Sequence, residues 1–403
     1  MNDHCLSNAK RLGFGLMRLP KVKDTETIDI EETKKMVDAF LEAGMNYFDT
    51  AYIYEGSEEA IGKALVQRYP RESYYLTSKL NVSAKSIKNE ADAKNEINIS
   101  LERTGSKYFD YYLLHALSRS NIDKFDNYHC WDYVKELKEK GLIKHYGFSY
   151  HDGPDFLDEI LTKHPDVEFV QLQINYADYY SLTVQSKENY EVCVKHNKPV
   201  IVMEPIKGGT LANPPQRVVD VFEKANNGLS IASWAVRFVA SLDQVAVVLS
   251  GMSNMSQMED NLSYMKDFKK LSKEEEKVIK QAMDALNSVH QVACTACHYC
   301  TSGCPMQIDI PSIFSAMNKK YIFDRDKEAR KAYENATSNH SLASKCIKCG
   351  ACEAQCPQHL PIRKYLEDAV KMFEARIVKL IATQLNSRLH MVFYIQDISS
   401  VSC

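Results

Sequence analysis

Two stretches of the chain repeat one cysteine spacing. Residues 294–305 read Cys-Thr-Ala-Cys-His-Tyr-Cys-Thr-Ser-Gly-Cys-Pro, and residues 346–357 read Cys-Ile-Lys-Cys-Gly-Ala-Cys-Glu-Ala-Gln-Cys-Pro. Each is a C-x2-C-x2-C-x3-C-P run. Three thiols two residues apart keep their sulfurs on one concave face of a loop, and the fourth leaves in another direction to serve a second iron–sulfur cubane. The spacing assigns Cys294, Cys297, Cys300 and Cys356 to one [4Fe-4S] cluster, and Cys346, Cys349, Cys352 and Cys304 to another. Zinc also accepts four thiolates, but it asks for two C-x2-C pairs and leaves the third Cys of each run surplus. Disulfides call for an oxidising compartment and an export signal. The opening MNDHCLSNAKRLGFGL has no continuous apolar core of that kind.

The remaining composition sets bounds. A chain of 403 residues suits one large domain and one small one. Lys+Arg total 50 against Asp+Glu 53, a formal net charge of -3, and no basic stripe invites nucleic acid. No apolar run approaches the ~20 residues of a membrane span. Of 12 Cys, four (Cys5, Cys130, Cys193, Cys403) lie outside the two runs and read as buried or incidental thiols. Reduced thiols and cluster assembly together place the chain in the cytoplasm.

Up to about residue 288, short apolar runs alternate with amphipathic helical stretches. The strand candidates are 13–19, 46–49, 74–80, 109–115, 145–149, 169–175, 200–204 and 245–250. Helices are expected over 31–43, 57–69 (with Ser57 as N-cap), 86–104, 128–140, 154–163, 187–197, 217–240 and from Met255 onward. Unbroken strand–helix alternation implies parallel strands with helical crossovers, and eight units in ~250 residues give an α/β fold of the (β/α)8 TIM-barrel type. An open doubly wound sheet is the alternative, but Gly13-Phe14-Gly15 has no third Gly opening a helix. The barrel is expected over 1–270, a charged helical linker over 271–293 and a two-cluster domain over 294–375. A tail, 376–403, is too short for a domain. The 41 residues between Cys304 and Cys346 hold two helical stretches, around 311–320 and 324–336, so the cluster domain is expected to be a small α-helical ferredoxin-like one.

Reactive side chains of such barrels sit at the C-terminal ends of the strands. Asp49, Lys79 and His115 fall there, and Tyr54 follows Asp49 in its loop. Phe48-Asp49-Thr50-Ala51-Tyr52-Ile53-Tyr54, Leu76-Thr77-Ser78-Lys79 and Asp110-Tyr111-Tyr112-Leu113-Leu114-His115 resemble segments of the aldo-keto reductase family, over roughly residues 10 to 265. That resemblance implies nicotinamide-dependent reduction of a small-molecule carbonyl, or oxidation of an alcohol. The chemistry is consistent with the residues. Hydride addition to a carbonyl leaves an alkoxide that needs a proton and a polarising donor. A phenol with pKa ~10 needs a neighbouring cation to make it a better acid. Tyr54 is therefore the acid, Lys79 the cation, Asp49 its anchor and His115 the donor that orients the substrate.

The same resemblance implies the cofactor site for NADP or NAD. Ser149 and Gln173 would hold the nicotinamide amide, and the loop carrying Glu204, Pro205, Lys207 and Gly208 would pass over the pyrophosphate. Gly251, Ser253, Gln257, Asp260 and Asn261 would take the adenosine and its 2′-phosphate. The chain departs from the family at Tyr150, where Asn is common, at Gln257, where Arg is common, and at Glu55, where Gly often stands.

Nicotinamide moves electrons in pairs and a cubane moves them singly, so direct exchange is unfavourable. A redox partner protein, or a flavin held in the barrel mouth without a recognisable motif, would bridge them; otherwise the substrate accepts single electrons or the clusters are structural. The alternative reading is a non-enzymatic electron-transfer protein whose barrel is a docking or structural body.

Overall fold

The computed structural model describes residues 4–374 apart from Lys85, Asn227 and Pro357; the expected tail, 376–403, lies outside the described residues. Eight strands form a closed barrel: β1 (Leu12–Gly15), β2 (Tyr47–Asp49), β3 (Tyr75–Leu80), β4 (Phe109–Leu117), β5 (Ile143–Tyr150), β6 (Phe169–Gln173), β7 (Val200–Met203) and β8 (Val245–Ser250). Every neighbouring pair is parallel, and β8 returns to β1 with Leu12 opposite Val248. This is the (β/α)8 architecture expected from the alternation.

The period of two in each strand sorts side chains between two cores. Tyr111, Leu113, Phe169, Ile201 and Val247 fill the barrel interior, where Leu6 of the N-terminal segment joins them. Tyr111 also donates its hydroxyl to the Cys5 carbonyl at 2.9 Å, tying that segment to the barrel. Tyr112, Leu114, Val170 and Val202, the alternate residues, pack outward against the helices.

Several boundaries depart from the sequence expectation, each for a local reason. The first strand stops at Gly15 and turns into a 3-10 helix, Leu16–Arg18. Ser57 holds that turn by donating to the Leu16 carbonyl at 3.0 Å, and it lies 2.7 Å from the Thr50 hydroxyl. Ser57 is thus the first helical residue rather than the cap, which is Gly56 at φ 70. The helix expected from 86 starts at Glu90, because Asn89 accepts from the Asp92 amide and caps it. The region 217–240 is two helices, Gln216–Ala225 and Ile231–Ala240. Asn226 (φ 42) stops the first and Ser230 caps the second. The helix Ile122–Asn127 was not foreseen.

Compact packing divides the chain after Met283, within the helix Lys273–Asn287. The second unit is helical, as its sequence implies: Ile310–Phe323, Asp326–Thr337 and Ile362–Ala369 bury Phe314, Met317, Ala329, Tyr333 and Leu366. Its two cysteine runs fold alike. Each contains a short helix, Tyr299–Ser302 and Ala351–Ala354. Left-handed residues recur at matching places: Ala296 and Lys348, His298 and Gly350, Gln307 and His359. Each pair is separated by the same offset as Cys294 and Cys346, so the unit is an internal repeat. Among the described residues no helix is long and apolar enough to cross a membrane.

Gly62 tests how tightly the barrel's outer layer is packed. It has helical backbone angles (φ -54), so alanine gains about 1 kcal/mol of helix propensity there. An added Cβ, however, would lie 2.8 Å from the Thr104 carbonyl oxygen. Overpacking against backbone costs roughly 1–3 kcal/mol. Gly62→Ala is expected to lower the unfolding free energy by about 1 kcal/mol in urea melts; a more stable variant would show that this contact relaxes freely.

Candidate active site

A cleft of about 560 Å³ opens at the C-terminal ends of β1, β2, β6, β7 and β8. That is the size of a small-molecule or cofactor pocket, roughly 300–1,000 Å³. Asp49 and Tyr54 reach it from the end of β2. Glu204, Pro205 and Gly208 line it from the loop after β7, and Gly251, Ser253, Gln257, Asp260 and Asn261 from the segment after β8.

Lys79 lies behind this wall with no exposed surface. Its ammonium donates to Asp49 Oδ1 and to the Thr50 carbonyl, each at 2.6 Å, and sits 4.9 Å from the centre of the Tyr54 ring. Burial pulls the ammonium's pKa down, but Asp49 and Tyr54 outweigh it, so Lys79 is held charged. The phenol answers differently. Burial pushes the Tyr54 pKa above its ordinary value, Lys79 pulls it back and Asp49 pushes it up again. The acidification expected of Lys79 is present only as an opposing pull. Tyr54 is held as a protonated phenol.

His115 meets Tyr54 edge-on, with ring centres 5.9 Å apart. Burial, helped by the Lys79 charge, drives its pKa well below the ordinary value, so it is a neutral imidazole. Its Nδ1 lies 3.5 Å from Asn81 Nδ2. The strand irregularity just after it also serves it: Ala116 takes φ 59, a strained angle for a residue with a Cβ. Ser149 Oγ accepts from the Ala116 amide at 2.7 Å, and Asn121 donates to the Ala116 carbonyl at 2.9 Å. Ser149 thus fixes the backbone next to His115, and neither residue is among those that line the cleft.

Gln173 and Lys207 also stand back from the cleft. Lys207 contacts both Asp178 oxygens at 2.6 Å, and Gln173 donates to one of them at 3.3 Å. Asn175 donates to Asp178 at 2.9 Å and to the Glu204 carbonyl at 3.3 Å. These residues clamp the loop after β7. Gln171, on the same face of β6 one step deeper, lines the cleft instead. Period-two alternation puts both glutamines on one face, so depth along the strand decides between them.

Sequence reasoning also passed over Arg18. It is the only cation among the described residues that line the cleft. Its Nη2 lies 3.5 Å from where a Cβ of Gly208 would be, and its Nη1 lies 4.0 Å from that of Gly251. Gly208 and Gly209 take φ 64 and 97, angles that favour glycine. Within the cleft lining, Gln171 Oε1 and Asn261 Oδ1 are buried acceptors without a partner among the described residues. The lining thus offers a polar ligand one cation and two open acceptors.

In the second unit, Cys294, Cys297, Cys300 and Cys356 line one small cavity. Cys304, Cys346, Cys349 and Cys352 line another, and none of the eight is in a disulfide. Each cavity takes three sulfurs from one run and the fourth from the other. Four thiols around an otherwise mostly apolar cavity form a donor set that fits a cubane.

Removing one partner of a buried ion pair leaves the other charge uncompensated, at about 3–5 kcal/mol. Lys79→Met is expected to destabilise the chain by that order in denaturant melts, and adding Asp49→Asn to recover a large part of the loss. If the double variant is no more stable than Lys79→Met, the pair is not coupled as its geometry states.

Residues 11–284 match the profile of the aldo/keto reductase family, and residues 293–360 match a 4Fe-4S dicluster domain. An aldo-keto reductase of Mycolicibacterium vanbaalenii is 29% identical over 234 residues, 57% of this chain and 77% of that protein. One from Mycobacterium avium is 29% identical over 252 residues, 62% and 79%. Among solved structures, the holo form of an aldo-keto reductase from Bacillus halodurans shares the fold, with a TM-score of 0.56 and 24% identity over 68% of this chain and 92% of that one. So does one from Klebsiella pneumoniae in complex with NADPH, with a TM-score of 0.53 and 20% identity over 68% and 90%. An iron–sulfur unit follows the barrel, and the chain belongs to the aldo/keto reductase family.

Proposed function

We propose that this iron–sulfur oxidoreductase reduces the carbonyl of a small molecule, or oxidises the corresponding alcohol, with NADPH or NADH bound in the barrel cleft. The observation that carries the reading is the fully buried Lys79 ammonium, fixed by Asp49 and the Thr50 carbonyl beneath the ring of Tyr54. A nicotinamide bound there supplies the hydride. Tyr54 then gives its proton to the carbonyl oxygen, and Lys79 stabilises the phenolate left behind. His115, neutral, donates to the same oxygen and fixes its direction. Asn81 contacts that imidazole, and Ser149 fixes the Ala116 backbone beside it.

A nicotinamide dinucleotide would be held in this cleft by the open acceptors of Gln171 and Asn261, which would take its amide and amine donors, and by Gly251, Ser253, Gln257 and Asp260. Arg18, beside the glycines of the loop after β7, would take its diphosphate charge. Glu204, Pro205 and Gly208 form the wall of that loop, while Gln173 and Lys207 hold it through Asp178. The Klebsiella pneumoniae reductase of like fold, which is in complex with NADPH, supports a nicotinamide in this cleft.

The two cysteine sets hold two [4Fe-4S] clusters, which supply one-electron steps. A partner that takes electrons in pairs and releases them singly, a flavin or a flavoprotein, connects that chemistry to hydride transfer. Thiols kept reduced for cluster assembly support a cytoplasmic location.

Tyr54→Phe is expected to lower kcat for aldehyde reduction by roughly 10²- to 10⁴-fold, the usual worth of a positioned acid, while nicotinamide binding measured by fluorescence persists. Full retention of activity would remove Tyr54 from the mechanism. The pH profile follows from the same burial. A raised Tyr54 pKa keeps the acid form populated as pH rises, and a lowered His115 pKa keeps the imidazole neutral as pH falls. Reduction at saturating substrate should therefore stay flat from about pH 6 to 9, and alcohol oxidation, which needs the phenolate, should climb through that window. A bell centred near neutrality would contradict this assignment. Arg18→Gln should weaken NADH and NADPH alike, by about tenfold for a lost charge-assisted contact; unchanged titrations with both would place the diphosphate elsewhere.

A further inference from the structure

We infer that the two cysteine sites hold clusters of unequal reduction potential, the site of Cys304, Cys346, Cys349 and Cys352 being raised by Arg363. The inference rests on the reading that both sites hold clusters. It comes from comparing the two halves of the internal repeat position by position.

The repeat places Pro311 and Arg363 at equivalent positions, and each lines its own cavity. One half thus presents an apolar ring where the other presents a guanidinium. The Arg363 Cζ lies 3.9 Å from where a Cβ of Gly350 would be, within the Cys349–Cys352 loop itself. Glu353 holds it there, accepting from the Arg363 backbone amide at 2.8 Å, from Nε at 2.9 Å and from Nη2 at 2.7 Å. Glu353 does not line the cavity, so the cation is the nearer member of the pair.

The asymmetry extends beyond that pair. Lys345, Lys348, Glu353, Arg363 and Glu367 of the second half stand where the first half has Ala293, Ala296, Thr301, Pro311 and Ser315. Lys348 pairs with Glu367 at 2.7 Å, and Lys345 leaves one positive charge in excess. The lining of the first cavity carries no permanent charge; besides its cysteines its polar side chains are Thr295, His298 and Gln358. A reduced cluster is more negative than an oxidised one, so a nearby cation favours reduction. Cluster potential follows local charge, hydrogen bonding and exposure. Arg363 is about half exposed, with 48% of its side chain accessible, so solvent screening trims the effect. Roughly three- to tenfold in the reduction equilibrium is expected, about 30 to 60 mV at 59 mV per tenfold for one electron.

The test is a potentiometric titration of the full chain, purified without oxygen, with dithionite as one-electron reductant and EPR as readout. Iron and sulfide are counted first: about eight of each per chain is the content of two cubanes. A wild-type chain without iron would refute the cluster reading itself and not this inference. Given clusters, two separate midpoints are expected. Arg363→Gln, which exposes the second site to Glu353, should lower the higher midpoint by that amount. Glu353→Gln, which unmasks the cation, should raise it, and the lower midpoint should move much less in both. Opposite signs distinguish a field effect from loosened packing, which would shift both variants the same way. Should Arg363→Gln lose its second cluster, Glu353→Gln decides alone. Coincident wild-type midpoints, unmoved midpoints or shifts of the same sign would overturn the inference.

Discussion

A lysine with no exposed surface is the costliest group in the barrel, and its neighbours are arranged around that cost. An ammonium leaving water loses several kcal/mol of solvation, recovered only by a close counter-charge and by acceptors for its remaining protons. The chain provides both from one place. Asp49 ends β2 and Thr50 follows it, while β3 runs parallel beside them with Thr77 opposite Asp49. Lys79, two residues farther along β3, therefore meets the Asp49 carboxylate and the Thr50 carbonyl together. Parallel register is the condition for this, and only crossover helices give parallel neighbours. The fold and the site thus share one constraint.

That constraint explains why so much of the barrel can be read from sequence. Strand–helix alternation is a pattern of period two against 3.6, and it survives whatever loops decorate it. Asp49, Lys79 and His115 stand toward strand ends and Tyr54 in the loop after Asp49, so the count of strands locates them. Legibility fails where three-dimensional depth or side-chain competition decides. Gln171 and Gln173 share a face, and only the closed barrel shows which one reaches the cleft. Ser57 has the sequence signature of a helix cap, yet its hydroxyl serves the Leu16 carbonyl and Thr50. Lys207 resembles a phosphate ligand until Asp178 is found beside it. Arg18 follows a short strand in an exposed turn, and nothing in its neighbours announces that the turn folds back over Gly208 and Gly251.

The electrostatics of the two redox sites differ in kind. In the barrel, burial dominates: it raises the phenol and lowers the imidazole, and the Lys79 ammonium opposes the first shift and adds to the second. Both groups are neutral at rest, and the proposed proton transfer has the Lys79 ammonium already fixed beside Tyr54. That is the preorganisation a proton-coupled hydride transfer needs, since the positive charge is in place before the negative one appears. In the cysteine unit the second site sits among exposed, paired charges, so its field is weaker per charge and more open to adjustment by substitution.

The repeat shows what such adjustment achieves. Two identical cubanes in identical surroundings would share an electron equally, and neither would be a defined end of a path. Cysteine spacing, the short helices and the left-handed residues are kept in both halves, because each is required to bring sulfurs to a cavity. Charge is not required for ligation, so it is free to differ. Charged residues of the second half, among them Lys345, Lys348, Glu353 and Glu367, stand where the first half has neutral ones, and another, Arg363, lines the cavity at the position of Pro311. A difference of tenfold in reduction equilibrium, about 1.4 kcal/mol, is enough to place most of a single electron on one side. Geometry held constant while charge diverges is how one duplicated framework yields two sites with distinct electrochemical roles.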